Sequence, residues 1–470
     1  MTRATRTEKD SLGAREVPAD AYYGIQTLRA KENFPVSGLR AHPRLIGAYV
    51  SLKKACALAN RDLGELEAPI ASAIAQAADE ALAELAGKPG PLLDNWIVDV
   101  YQAGAGTSFN MNTNEVLANR ALELLRAKRG DYSVVHPNDH VNKAQSTNDT
   151  FPAATHVAVL LQARELAPIL RRLEAAFAAK GREWSRVVKS ARTHLQDAVP
   201  ITLGQEFAAY AAALAAARGE LERRVDLLRA VALGGTAAGT GTNASKAFRA
   251  KAIARLSRIT GLALRPPADP RMALQSHQPL SAVSSALKEL ALEMIRIAND
   301  LRLLCSGPTT GFAEIVLPAA QPGSSIMPGK VNPSIPECWN MICFQIVGRD
   351  AAVGLATQGG QLDLNVMTPL TAYNLLDSMQ LLVNFLPQVE RLCVRGIRAD
   401  PEACRRYFGS SLSLAALLNP KLGYARAAEI FKEALTRKTT IAQIVLERKL
   451  LTPAELDSLF DPKTVTGTLD

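Results

Sequence analysis

Residues 287–304, LKELALEMIRIANDLRLL, set Leu287, Leu290, Met294, Ile297, Leu301 and Leu304 at steps of 3-4-3-4-3. On an α-helix this spacing gathers the apolar side chains into one seam, the kind that packs against near-antiparallel helices. A second stripe runs through Phe207, Tyr210, Leu214, Ala217, Leu221, Val225 and Leu228, and a third apolar segment covers Asn365 to Leu392, where Thr368-Pro369 suits a first helical turn. A helical bundle is therefore expected over 147–400. Before it, 1–146 mixes Pro- and Gly-rich entry segments with shorter helical runs, Arg44 to Leu63 and Ile70 to Leu85. After it, 401–470 reads as a small unit of short helices, with Thr452 as a cap and Pro453 in the first helical position. Stripes this long bury more surface than one slender bundle needs, so some faces are expected to pack against other subunits.

Composition narrows the class. The 470 residues are 48% hydrophobic, 21% charged and only 5% aromatic, which excludes disorder and disfavours an all-β fold. The first twenty residues are charged without an apolar run, and no uninterrupted apolar run reaches about 18 residues; the expectation is a cytoplasmic protein with no membrane contact. Lys and Arg exceed Asp and Glu by 54 to 45, a net charge of +9. The basic residues are spread along the chain rather than massed as a nucleic-acid surface would need, and the excess suits a small anionic substrate equally well. Six cysteines show no CxxC spacing and read as free thiols rather than metal ligands or disulfides.

The richest chemistry lies in Gly323-Ser324-Ser325-Ile326-Met327-Pro328-Gly329-Lys330-Val331-Asn332-Pro333, a loop that interrupts long helices with two hydroxyls, a cation and an amide. Its Ile and Met suggest that part of it is packed. It is not a phosphate loop, because five residues separate Gly323 from Gly329 and Val331 follows the lysine. Gly239-Thr240-Gly241-Thr242-Asn243-Ala244 lacks the third glycine of a dinucleotide turn, and His136 and His140 have Pro137 between them where a zincin has glutamate. Three further polar clusters stand at helix boundaries: Gly104 to Ser108 followed by Asn110, Asn112 and Asn114; Gln145 to Asp149; and Arg192 to Asp197. Singly each reads as a helix cap. Together with the serine loop they supply the hydroxyls, amides and cation that a small dicarboxylate would require.

GSSIMPGKVNP resembles the signature of the aspartase/fumarase superfamily, and the likeness runs from REVPADAYYG at 15–24 to LTPAEL at 451–456. GAGTSFNMNTNEVLAN, HPNDHVNKAQSTND and RTHLQDAVPITLGQEF are similar to the aspartate ammonia-lyase branch more than to class II fumarases, which typically read GSGTQSNMN and QSSND. The resemblance implies an all-α fold, a long central bundle with smaller N- and C-terminal domains, assembled as a homotetramer with a twenty-helix core and sites shared by three subunits. It implies no metal and no cofactor. Carried over by position, Ser324 resembles the base that takes the Cβ proton. Lys330, Asn332 and Thr193 match binders of one carboxylate; Thr107, Ser146, Thr147 and Ser325 match binders of the other. Asn148 and His194 match groups around the amine, and Glu337 the carboxylate that orients His194. Thr309, Thr368 and Cys338-Trp339 depart from the usual aspartase pattern. Class II fumarate hydratase, or a relative that eliminates a different amine, are the alternative activities.

Overall fold

The computed structural model describes residues 4–461 and 465–466. Helices dominate, the longest being Thr147–Glu183, Leu203–Val225, Gln278–Leu304, Ser334–Gln358 and Thr368–Leu392. At 37 residues, Thr147–Glu183 is about 55 Å long. The 287–304 seam is realised: its six apolar residues are buried, while Leu292 on the opposite face is 50% exposed. The second stripe leaves regular helix near its end, where Val225 gives way to a tight 3-10 turn over Asp226–Arg229 that still buries Leu228.

Two compact units share these helices. One comprises the chain up to Ala167, Gly219–Glu289 and Gln345–Leu382; the other comprises Pro168–Arg218, Leu290–Phe344 and the chain from Val383 onward. Each of the five long helices gives part of its length to each unit, so compactness divides the bundle across its helices rather than at their ends.

Three small antiparallel ladders, none foreseen from periodicity, complete the fold: Thr5–Asp10 with Gly13–Pro18, Val188–Thr193 with Gln196–Thr202, and Ile315–Val316 with Arg398–Ala399. In the second unit the terminal helices close over a core of their own that includes Leu414, Leu418, Ile430, Ile441, Ile444 and Leu456. Thr452 caps Pro453–Leu459 as expected, and Glu455 reaches back to the Thr452 N–H at 2.9 Å to complete a capping box. No described helix is long and apolar enough to cross a membrane.

Two histidines in the first unit are enclosed, His277 fully and His156 in part. His156 Nδ1 stands 3.0 Å from the Ala230 carbonyl, whereas neither ring nitrogen of His277 has a partner among the described residues. Burial holds both pKa values down, to about 4 against an ordinary 6.5. Between those values the unfolded chain binds protons that the native core refuses, so this contribution to stability is present above pH 6.5 and is lost as pH falls toward 4. The expected loss is about 3 kcal/mol per ring. Melting temperatures across pH 6.5 to 4 should fall steeply in the native protein and less steeply in His277→Leu; parallel curves would contradict the assignment.

Candidate active site

In the first unit, Thr107 opens helix Thr107–Leu124 behind a tight turn at Gly104–Gly106. Gly106 is left-handed, with φ +85°, and a Cβ there would lie 2.0 Å from the Phe151 ring, so two independent constraints demand glycine just before Thr107. Thr107 itself is exposed. Asn110, Asn112 and Asn114, read from sequence as possible caps, sit inside this helix and are buried. Their amides wire it to its surroundings: Asn112 Oδ1 accepts the Ile97 N–H at 3.0 Å, and Asn110 Oδ1 the Tyr49 hydroxyl at 3.1 Å. Glu115 accepts from the N–H groups of Gly24, Gln26 and Thr27, and burial lifts its pKa to about 7.

Ser146 does act as a cap. Its Oγ accepts the Asn148 N–H at 3.2 Å, and its own N–H donates to Asp149 Oδ1 at 3.0 Å. Thr147 is the first residue of Thr147–Glu183 and is buried, while Asn148 Nδ2 donates to the Ala237 carbonyl at 2.8 Å. Beneath them Asp149 Oδ2 accepts from the Gly234 and Thr236 N–H groups, both at 2.9 Å, which ties the 146–149 turn to a second loop. Burial raises the Asp149 pKa to about 6 against these donors, and burial brings fully enclosed Lys53 down to about 7. The Lys53 ammonium donates to Asn142 Oδ1 at 2.8 Å and Gln145 Oε1 at 2.9 Å, the hydrogen bonds a buried cation requires. Ser146 lines a recess of about 670 Å³ with Asn142, Lys143, Gln145, Thr236 and Asn243. Thr107 lines a different recess of the same unit, about 550 Å³, with Arg29, Glu115 and His136. His136 and His140 spend ring nitrogens on backbone N–H groups of their own turn, as a polar turn would.

In the second unit, Arg192 to Asp197 forms a hairpin rather than a helix cap. Val188–Thr193 and Gln196–Thr202 pair antiparallel, and His194 and Leu195 make the tip with φ +57° and +59°. Thr193 and His194 are exposed there. The serine loop is cinched at its base by the Gly323 N–H to the Lys330 carbonyl at 2.8 Å and by Asn332 Nδ2 to the Gly323 carbonyl at 2.6 Å. A side chain at 323 would collide with the facing backbone of Lys330 to Asn332. Ser324 Oγ accepts two backbone N–H groups, from Ile326 at 3.2 Å and Met327 at 3.0 Å. The expected packing of the loop is not found in the chain: Ile326 is 84% exposed, and Ser325 and Lys330 are also open to solvent, because the loop's tip projects beyond its own closure. Half-buried Glu337 lies in the first turn of Ser334–Gln358, and among the described residues it makes no hydrogen bond or ion pair with His194.

The sequence profile described as "Lyase" matches residues 13–348, and that of the fumarase C C-terminus matches 414–467. The chain belongs to this aspartase/fumarase family of lyases. An aspartate ammonia-lyase of Pseudomonas canavaninivorans is 47% identical over 98% of this chain and 96% of its own length. A class II fumarate hydratase of Thermosynechococcus vestitus is 46% identical over 97% of each. The crystal structure of a fumarate lyase/delta crystallin protein from Brucella melitensis superposes with a TM-score of 0.94 at 48% identity, covering 99% of this chain and 100% of that one.

Of the departures from the usual lyase pattern, Trp339 and Thr368 are fully buried and only Thr309 is exposed. Lys53 escaped sequence reading. Its signal was available, since it occupies a core position between Tyr49 and Cys56 at helical spacing, where an ordinary lysine has no place.

Proposed function

We propose that the chain is an aspartate ammonia-lyase that converts L-aspartate reversibly into fumarate and ammonia, with Ser324 as the base. The observation that carries the base is the pair of backbone N–H groups aimed at Ser324 Oγ. A serine hydroxyl is far too weak an acid to serve unaided at neutral pH, and preorganised donors 3.0 to 3.2 Å away favour the alkoxide over the alcohol. The alkoxide takes a Cβ proton, the electron pair forms the double bond, and the C–N bond breaks to release ammonia. Negative charge builds on the carboxylate next to Cβ, where Thr107, Ser146, Thr147 and Ser325 donate hydrogen bonds that strengthen in the transition state. Lys330, Asn332 and Thr193 hold the other carboxylate, Asn148 and His194 flank the amine, and Glu337 orients His194.

Overall identity does not separate an ammonia-lyase from a hydratase, since 47% stands against 46%. Thr147, where fumarases usually carry serine, and the GAGTSF turn favour the ammonia-lyase. We also infer a cytoplasmic homotetramer with shared sites. Support comes from Thr107 and Ser146 lining different recesses of one unit, and from the exposure of Ser325, Lys330 and His194, which chemistry of this kind needs dehydrated.

Ultraviolet absorbance of fumarate tests the substrate. With no metal or nucleotide added, L-aspartate should yield fumarate much faster than L-malate. Faster malate turnover would make the chain a hydratase, and silence with both would point to a different amine.

A further inference from the structure

A buried ionic cluster in the second unit lies between the hairpin that carries Thr193 and His194 and the segment that leads to the serine loop. Glu314 is fully buried, and its two oxygens meet Arg192 at 2.9 Å and Lys189 at 2.6 Å; Lys189 also meets Glu206 at 2.9 Å. Two cations thus face two carboxylates. Residues three apart on a regular strand point to opposite sides. Here the ladder slips between Ser190 and Arg192, two residues of the second strand opposing one of the first, and a bulge in one strand increases the local twist of the pair. Both side chains then reach one carboxylate. The Arg192 guanidinium is held further against Phe312 and Tyr407, 4.2 and 5.1 Å from their ring centres. Glu314 is itself fixed at both backbone ends, its N–H on the Leu304 carbonyl at 3.0 Å and its carbonyl taking the Asp400 N–H at 2.8 Å.

We propose that Glu314 is a positioning residue that sets the aim of the Thr193-His194 tip, with Arg192 as the lever; this rests on the site reading given above. The tip needs such a lever because His194 and Leu195, where it turns, are left-handed without being glycine, a conformation the turn alone does not favour. A tip displaced by about 1 Å would misplace the groups that hold substrate, which typically costs on the order of a hundred-fold in rate.

The test uses the full-length protein with Glu314→Gln and, in case that variant does not fold, Arg192→Lys, which keeps the charge and gives up the planar group against Phe312 and Tyr407. In assembled protein, kcat/KM for L-aspartate should fall roughly 10- to 100-fold. Amide hydrogen exchange should quicken at 193–196 and stay unchanged in Gln278–Leu304. Adding Thr193→Ala to Glu314→Gln should cost little beyond the larger single effect, since both act through the same tip. A lower melting temperature with unchanged kcat/KM, with additive losses, or with unchanged exchange at the tip would overturn the proposal. The exchange measurement needs no substrate, so wild-type protein inert toward L-aspartate would sink the ammonia-lyase reading while the tip remained testable.

Discussion

Ser324→Ala lowers kcat for fumarate formation by about a thousand-fold or more, while the protein still folds, assembles and binds fumarate. Removing the hydroxyl removes the group that takes the proton, and the two N–H groups that point at it are donors that cannot take the proton in its place. Its neighbour provides the control. Ser325→Ala deletes one carboxylate donor, a loss of roughly 1 to 3 kcal/mol, or about ten- to a hundred-fold. Both serines sit in one loop with the same closure from Gly323 to Asn332, so a general disturbance of the loop would affect them alike. A near-normal kcat in folded Ser324→Ala would require another base, with His194 next in line.

Mixing two inactive variants should restore activity. Ser146→Ala combined with Thr147→Val disables the donors of one turn of the first unit, and Ser324→Ala disables the loop of the second. If each site draws these elements from different chains, random co-assembly gives a site with both intact about a quarter of the time, and activity returns to about a quarter of wild type. Co-expression followed by purification of the mixed assembly, with each variant alone as the baseline, measures this. Sites contained within single chains would show no recovery.

Most of the fold was legible because burial imposes a period. The 3-4-3-4-3 seam at 287–304 has one face to hide, and that requirement is written directly in residue spacing. The hairpin at 188–202 was not legible in this way. Its tip bends at His194 and Leu195, neither of them a usual turn residue, and the strands are too short and too bulged to show a period of two. At the site, the serine loop and the polar turns announced themselves by composition, whereas the charges that hold them did not. Lys53 and Glu314 act from positions that look like core, and what makes them matter is contact with residues distant in sequence: Asn142 and Gln145 for one, Lys189 and Arg192 for the other. The Ile and Met of the serine loop misled in the opposite direction, since apolar character was read as packing while the chain leaves Ile326 exposed.

In the proposed reaction the site moves a proton at Cβ and exchanges ammonia, not water, at the adjacent carbon. Running the reaction backwards in D2O, with fumarate and an excess of ammonium, tests both halves in one proton NMR spectrum. The expected product is L-aspartate carrying a single deuteron at C3, with little malate. Accumulation of malate despite the ammonium, or aspartate with no deuteron at C3, would contradict it.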